Sequence, residues 1–452
     1  MATTFAPPAS IPKVGGGLPL VGNYFQFRSD MLALQELAAR TGPISRVQLA
    51  HIPIYIVTDA DVAREILVDQ ASSFIKSQGL AMLKPLLGEG LLTAEGEPHR
   101  KHRKLLAPAF APKRIAAYGD AMVEETERCV AGWRDGATID LSHEMMAMTL
   151  AIAGRTLFGA DVRGDAAAVA DALETAMRAH RESLQSLVRV SYDWPLPRHL
   201  RMRRAIKALD TVVYRMIAEG RVRGTDKGDV LSILLLARDD EDGTGLTDGQ
   251  VRDEVMTLLL AGHETTANTL TWAWYELARN PGVLQKLVAE VDALGGKRIT
   301  VDDLPKLPYT LATIEEAMRI DPPAYMIGRE ATRDLEVGGH ALPKGAVVFV
   351  NVRGIHRRAD YYPDPLAFKP ERMLPDAKKQ RPRERYLPFG AGPRVCIGAH
   401  FALIEAQLAL ATMAQKATFQ LHRAHVEPEP LVTLRPRGGM PVTAQLRAAR
   451  TS

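Results

Sequence analysis

Phe389-Gly390-Ala391-Gly392-Pro393-Arg394-Val395-Cys396-Ile397-Gly398 sets one of the two cysteines of a 452-residue chain in a loop stiffened by Pro393 and made compact by glycines. An arginine lies two residues before the sulfur and a glycine two residues after. A thiolate presented to a metal needs positive polarity nearby and main-chain amides free to point at it. Glycine lets the chain turn that tightly and pass close to a flat group. A lone cysteine in a Gly/Pro loop is by itself an ordinary surface turn. The spacing Phe-x-x-Gly-x-Arg-x-Cys-x-Gly is what distinguishes this one.

That pattern matches the haem-binding loop of the cytochromes P450 at every fixed position, and the chain resembles that superfamily in its soluble bacterial form. The resemblance runs from about Leu18 to Ala448. It implies a mainly α chain with small β-sheets (α+β), with residues 18–452 forming a single large domain around a buried haem. Residues 1–17 are expected to be a flexible N-terminal arm. The implied cofactor is haem b (iron protoporphyrin IX), with Cys396 on the iron and Phe389, Gly390, Arg394 and Gly398 around it.

Bulk properties narrow the setting. A formal net charge of +4 gives no global field for nucleic acid. Two cysteines, Cys129 and Cys396, cannot make a disulfide framework and suit a reducing cytoplasm. Cys129, in EETERCVAGW, reads as a structural residue on an amphipathic helix. No stretch approaches the ~18 consecutive apolar residues of a membrane span. The N-terminus lacks the basic-then-apolar order of a signal peptide. A cytoplasmic protein without a membrane anchor is expected.

Helical patterning covers residues 28–41, 59–69, 97–107, 112–134, 143–158, 165–190, 200–222, 247–279 and 281–295. Strand-like runs are SRVQLA near 45, PIYIVT near 53 and AVVFVNV near 346. Polar stretches at 223–228, 239–249 and 376–385 read as surface loops.

Residues 247–279 predict a helix on the order of 48 Å long, capped with help from Asp248 and ended by Asn280-Pro281. Inside it lies Ala261-Gly262-His263-Glu264-Thr265-Thr266. An interior glycine costs about 1 kcal/mol relative to alanine, and adjacent threonines crowd the helix. The segment therefore predicts a local opening that frees the Thr265 hydroxyl for a ligand or water. Ala261 and Thr265 share a face. Taken alone, these residues better suit a buried helix packed closely through small side chains. The segment resembles the P450 oxygen-binding motif, which implies that Thr265 hydrogen-bonds bound dioxygen and that Glu264 relays protons. A zinc-protease reading of His263-Glu264 fails, because the second histidine would fall at Ala267.

Glu316 and Arg319 lie three apart on one helix, which Asp321-Pro322-Pro323 stops. By resemblance, Arg372 in the segment 368–373 joins them in a structural ionic triad. His99 and Arg103 share a helical face, and with Arg329 and Arg394 they match family contacts to the haem propionates. Substrate-facing positions by the same alignment are Leu80, Met82, Leu83, Ala261, Thr265, Ala324, Tyr325, Met326 and Ile327, with Met440 closing the pocket.

The implied enzyme is an iron-dependent oxidoreductase, a haem-thiolate monooxygenase. It activates O2 with two external electrons and hydroxylates or epoxidises an apolar small molecule: a fatty acid, terpenoid or polyketide-like compound. No flavin or iron–sulfur domain is expected to follow. Electrons are therefore expected from NAD(P)H through a separate reductase and a ferredoxin or flavodoxin-type partner, with the enzyme acting as a monomer. Lys378, Lys379, Arg381 and Arg383 offer a basic docking face, although such a run is also an ordinary solvated one. The rival readings are an H2O2-dependent peroxygenase and a non-catalytic haem-binding sensor. Peroxide already carries both oxygens, so Glu264 and Thr265 argue against the first. The second lacks a region for coupling to a partner.

Overall fold

The computed structural model describes residues 10–186, 190–238 and 244–448. Its organising element is the helix Asp248–Arg279, 32 residues long. Thr247 caps it through a reciprocal box, its hydroxyl accepting from the Gln250 amide while the Gln250 side chain accepts from the Thr247 amide. The cap is thus Thr247, and Asp248 instead places its charge in the first turn, where the helix dipole favours it. Asn280 ends the helix, and Pro281 opens the next one, Pro281–Asp292. The long helix is buried on nearly every side because it packs against Leu141–Leu157, Pro197–Arg223, Pro308–Ile320 and Ala399–Lys416.

The structure is mainly helical, with small sheets at the periphery. The largest sheet has five strands in the order Ile44–Leu49, Ile52–Val57, Val347–Val350, Ile327–Ala331 and Phe74–Lys76. Ile52–Val57 runs parallel to Val347–Val350, and the other pairings are antiparallel. A second sheet joins Thr138–Asp140, Pro441–Leu446 and Ala417–Leu421. Two small antiparallel pairs complete the β structure, Leu335–Val337 with His340–Leu342 and Pro428–Pro430 with Leu434–Pro436.

Several expectations shift. The flexible arm does not extend to residue 17: Val14 is buried and its amide donates to the Arg46 carbonyl across 2.9 Å, fixing the chain on the sheet edge. Residues 1–9 of that arm, and 239–243 of the expected loop 239–249, lie outside the described residues. The polar run 376–385 holds the short helix Pro375–Gln380. The patterning also missed Val230–Leu236 and Ala399–Lys416. Both are apolar on most faces, so neither shows an amphipathic stripe. Cys129 is half-buried, and burial followed by the nearby Glu144 carboxylate pushes its thiol up, which suits an inert residue.

Candidate active site

The cysteine loop enters Ala399–Lys416 directly, so a short turn delivers Cys396 to the start of a buried helix. Gly390 and Gly392 take positive φ values of 72° and 68°, and Gly392–Arg394 forms a single 3-10 turn. The Cys396 amide donates to the Phe389 carbonyl across 2.9 Å, which closes the loop on itself. More than a third of Cys396 is accessible although protein surrounds it, because the sulfur opens on an internal cavity. Burial raises the thiol, whereas the Gly398 amide and the charge of Arg103 favour the thiolate.

The cavity holds about 600 Å³ and is lined mostly by apolar groups. Ala261 and Thr265 border it from the long helix. Contrary to the expected opening, the helix stays α-helical through Ala261–Thr266. The Thr265 hydroxyl donates back to the Ala261 carbonyl across 2.7 Å, satisfying itself within the helix. At Gly262 the nearest atom to where a β-carbon would stand is a Leu157 methyl at 3.4 Å, an ordinary van der Waals contact. Glu264 is not beside Thr265 at the cavity wall. One residue along a helix turns the side chain by about 100°, so the carboxyl points into the protein, buried, and accepts a hydrogen bond from Thr433. Burial raises its pKa. His263 is likewise buried, and burial lowers it to about 4, so it is a neutral core residue.

A basic cluster borders the same cavity: Lys76, Arg103, Arg329 and Arg394, with the imidazole of His99 among them. Arg103 donates to the Val395 carbonyl (2.8 Å), tying its helix to the cysteine loop. Arg394 donates to the Ala94 carbonyl (2.7 Å) and pairs with Glu95, the carboxylate that meets the cluster. Burial and then the charges of Arg329 and Arg394 lower Lys76 to about 7. Burial and then Arg394 lower Arg329 to about 10, and His99 falls to about 4 through burial, Arg394 and its other cationic neighbours. Cations gathered against their own interest call for an anion. The two carboxylates of a haem answer that need. A single thiolate is too few ligands for a bare ion, so a metal at Cys396 would come with its remaining ligands on a carrier. The residues present fit a haem.

A sequence profile of the family described as Cytochrome P450 matches residues 12–441. The chain belongs to the cytochrome P450 family. It is therefore a haem-thiolate monooxygenase that uses dioxygen. Among its relatives it is 38% identical to cyclooctatin synthase of Streptomyces melanosporofaciens, over 95% of this chain and 93% of that protein. It is 36% identical to cyclooctat-9-en-7-ol 5-monooxygenase of the same organism, over 92% and 89% of the two chains. Pentalenene oxygenase of Streptomyces avermitilis is 33% identical, over 92% and 91%. Among the described residues of this P450, no helix is long and apolar enough to cross a membrane.

Of the P450 pocket residues expected from sequence, Leu80 and Leu83 border the cavity, three apart on one side of a helical turn. Met82, between them, faces the opposite way into a separate cavity of about 410 Å³ with Tyr192 and His199. Ala324, Tyr325, Met326 and Ile327 border the main cavity from the segment entering the large sheet. Met440 does not. It is fully buried at the start of the strand Pro441–Leu446, its amide donating to Asp140 across 2.9 Å. The pocket is closed instead by Leu431, Val432 and Thr433, at the tip of the hairpin Pro428–Pro430 and Leu434–Pro436. Sequence reasoning also missed Lys76. Its only local signal is a basic residue ending the short strand Phe74–Lys76, paired opposite Arg329.

Away from the cavity, Glu316 and Arg319 are fully buried and meet in a two-pronged pair of 2.7 and 2.8 Å. Arg319 spends its remaining donors on the carbonyls of His356, Pro365 and Ala367. Arg372 stands 3.6 Å from Glu316. The expected basic docking run is partly used internally: Lys378 pairs with Glu315, Lys379 with Asp376, and Arg381 stacks on Tyr386.

Proposed function

We propose that this enzyme hydroxylates or epoxidises a cyclic terpenoid. It would use dioxygen and two electrons from NAD(P)H, delivered by a separate reductase and a ferredoxin- or flavodoxin-type protein. The observation that carries the reading is the opening of the Cys396 sulfur onto an apolar cavity of about 600 Å³, beside a cationic cluster that fits two carboxylates. Haem b would be held by Cys396 through iron and by Lys76, His99, Arg103, Arg329 and Arg394 through its propionates. When bound, it supplies dioxygen activation and transfer of one oxygen atom to carbon.

The chain's own residues do the rest. Leucine, methionine and the hairpin tip shed water from the substrate and orient it by shape. Arg181, a cation at the cavity wall, shares the Glu429 carboxylate with Arg178 and Arg435. The Thr265 hydroxyl can exchange its bond to the Ala261 carbonyl for one to a cavity ligand, and Glu264 stores the proton the reaction consumes. The named relatives act, by their names, on cyclooctatin-type and pentalenene frames, which suits a cavity shaped by apolar contacts.

Turnover of a panel of cyclic terpenes with a surrogate ferredoxin and reductase under isotope-labelled dioxygen tests this reading. It expects one labelled oxygen atom in the product. A product without label, or peroxide supporting turnover as fast as the reductase does, would overturn it.

A further inference from the structure

Glu264 is the one acidic residue proposed to feed protons to the reaction, yet it does not border the cavity. Its carboxyl is sealed inside the protein, 3% exposed. What its Oε1 meets is the hydroxyl of Thr433, 169 residues away in sequence, which donates to it. Thr433 does border the cavity, from the hairpin tip. Asn268 completes the arrangement. It lies one helical turn beyond Glu264, on the same face, and its Nδ2 donates to Thr433 Oγ1 across 3.2 Å.

The Thr433 hydroxyl is therefore held by an acceptor and a donor that differ by four positions on one rigid helix. Asn268 supplies a hydrogen to the oxygen, so the hydroxyl's own hydrogen is turned toward Glu264. A hydroxyl oxygen has two lone pairs, and one remains for the cavity. We propose that Thr433 is the relay through which Glu264 exchanges protons with the cavity, and that Asn268 is the residue that positions it.

The transfer is balanced. With Glu264 protonated, the hydroxyl first turns so that it accepts from the carboxylic acid and donates to a cavity water. The acid's proton then passes to Thr433 Oγ1 as the hydroxyl's own proton leaves for that water, so Thr433 ends neutral and donating to the Glu264 carboxylate, the bond seen here. A proton returning by the same bonds restores both. Thr257, Thr265, Thr266 and Thr269 of the long helix also border the cavity, but Thr265 bonds to Ala261, Thr266 to Gly262 and Glu405, and Thr269 to Thr265, whereas the hydroxyl on Glu264 is that of Thr433. The proposal rests on the reading of Glu264 as the acid.

The test compares wild type with Thr433→Val, which keeps the shape, Thr433→Ser, which keeps the hydroxyl, and Glu264→Gln. Two properties are read: the share of NAD(P)H electrons appearing in product against peroxide, and the infrared carbonyl band of the protonated carboxyl that Glu264→Gln abolishes. Thr433→Val is expected to lower the product-to-peroxide ratio by about tenfold or more and to move the band to higher frequency. Thr433→Ser is expected to restore both. Coupling unchanged in Thr433→Val while Glu264→Gln uncouples overturns the relay, as does a Thr433→Ser variant no better than Thr433→Val. Coupling unchanged in Glu264→Gln itself removes the reading of Glu264 as the acid, and the relay with it.

Discussion

Gly392 lies against the carbonyl oxygen of Leu67 so closely that a β-carbon on it would stand 1.9 Å from that oxygen. Leu67 belongs to a π-helical turn, Glu65–Asp69, that directs its carbonyl at the cysteine loop. The glycine is therefore set by two independent demands, a φ of 68° and a main-chain neighbour that cannot swing away.

Gly390 and Gly392 should consequently respond differently to alanine. Gly390 has positive φ, but its nearest neighbour to a new β-carbon is Ile327 at 3.6 Å. Gly390→Ala is expected to cost about 1–2 kcal/mol from backbone conformation alone. Gly392→Ala should cost roughly 1–3 kcal/mol more, because the loop must move off Leu67. Urea unfolding and haem retention on a desalting column measure both. Equal effects would contradict the close contact.

The Glu316 and Arg319 pair is fully buried and fully hydrogen-bonded. Removing one partner leaves a charge in the core, so Glu316→Leu or Arg319→Met should each cost about 3–5 kcal/mol. The double variant should be less harmful than the sum of the two. Denaturant unfolding of the four proteins decides this, and additive losses would show that the two side chains act separately.

Lys76 should give the haem-free protein a characteristic pH dependence. Its folded value is about 7 against an ordinary 10.5, lowered by burial and then by Arg329 and Arg394. Between those values the unfolded chain carries a proton that the folded chain does not. Stability therefore rises with pH across that window, and the penalty is complete below about pH 7. Lys76→Met should be more stable than wild type near neutral pH in the haem-free form, the difference vanishing above about pH 10.5. In the haem-loaded form the order should reverse, because the propionates reward the charge. Thermal unfolding of both forms from pH 6 to pH 10 checks the sign.

Thr265→Ala is expected to divert electrons to peroxide, lowering product yield per NAD(P)H by about tenfold or more, while substrate binding stays near wild type. Thr265→Ser, which can keep the bond to the Ala261 carbonyl, should retain most of the coupling. Peroxide and product assayed side by side read both variants.

What the sequence disclosed was local. The cysteine loop and the segment Ala261–Thr266 carry their motifs within a few residues, so the family resemblance implied a common site for Cys396, Ala261 and Thr265, and all three border one cavity. Contacts made over long separations were invisible. Thr433 reaches Glu264 only because a hairpin near the C-terminus folds back over the long helix, and nothing in residues 428–436 announces that partner. Met440 illustrates the same limit: it is an apolar residue near the chain end, but its strand joins Thr138–Asp140 rather than the cavity. Met82 failed for a different reason, since a one-residue step around a short helical turn separates the cavity wall from its back.

The central claim is thiolate ligation by Cys396, and the reduced, carbon-monoxide-bound absorption spectrum of the haem-loaded protein tests it most directly. Ligation by Cys396 predicts the strongly red-shifted band of a thiolate-bound haem in wild type and its loss in Cys396→Ser, where the haem is retained without that band or released. A wild-type protein with full haem loading and no red-shifted band, or a Cys396→Ser protein that keeps it, contradicts the assignment.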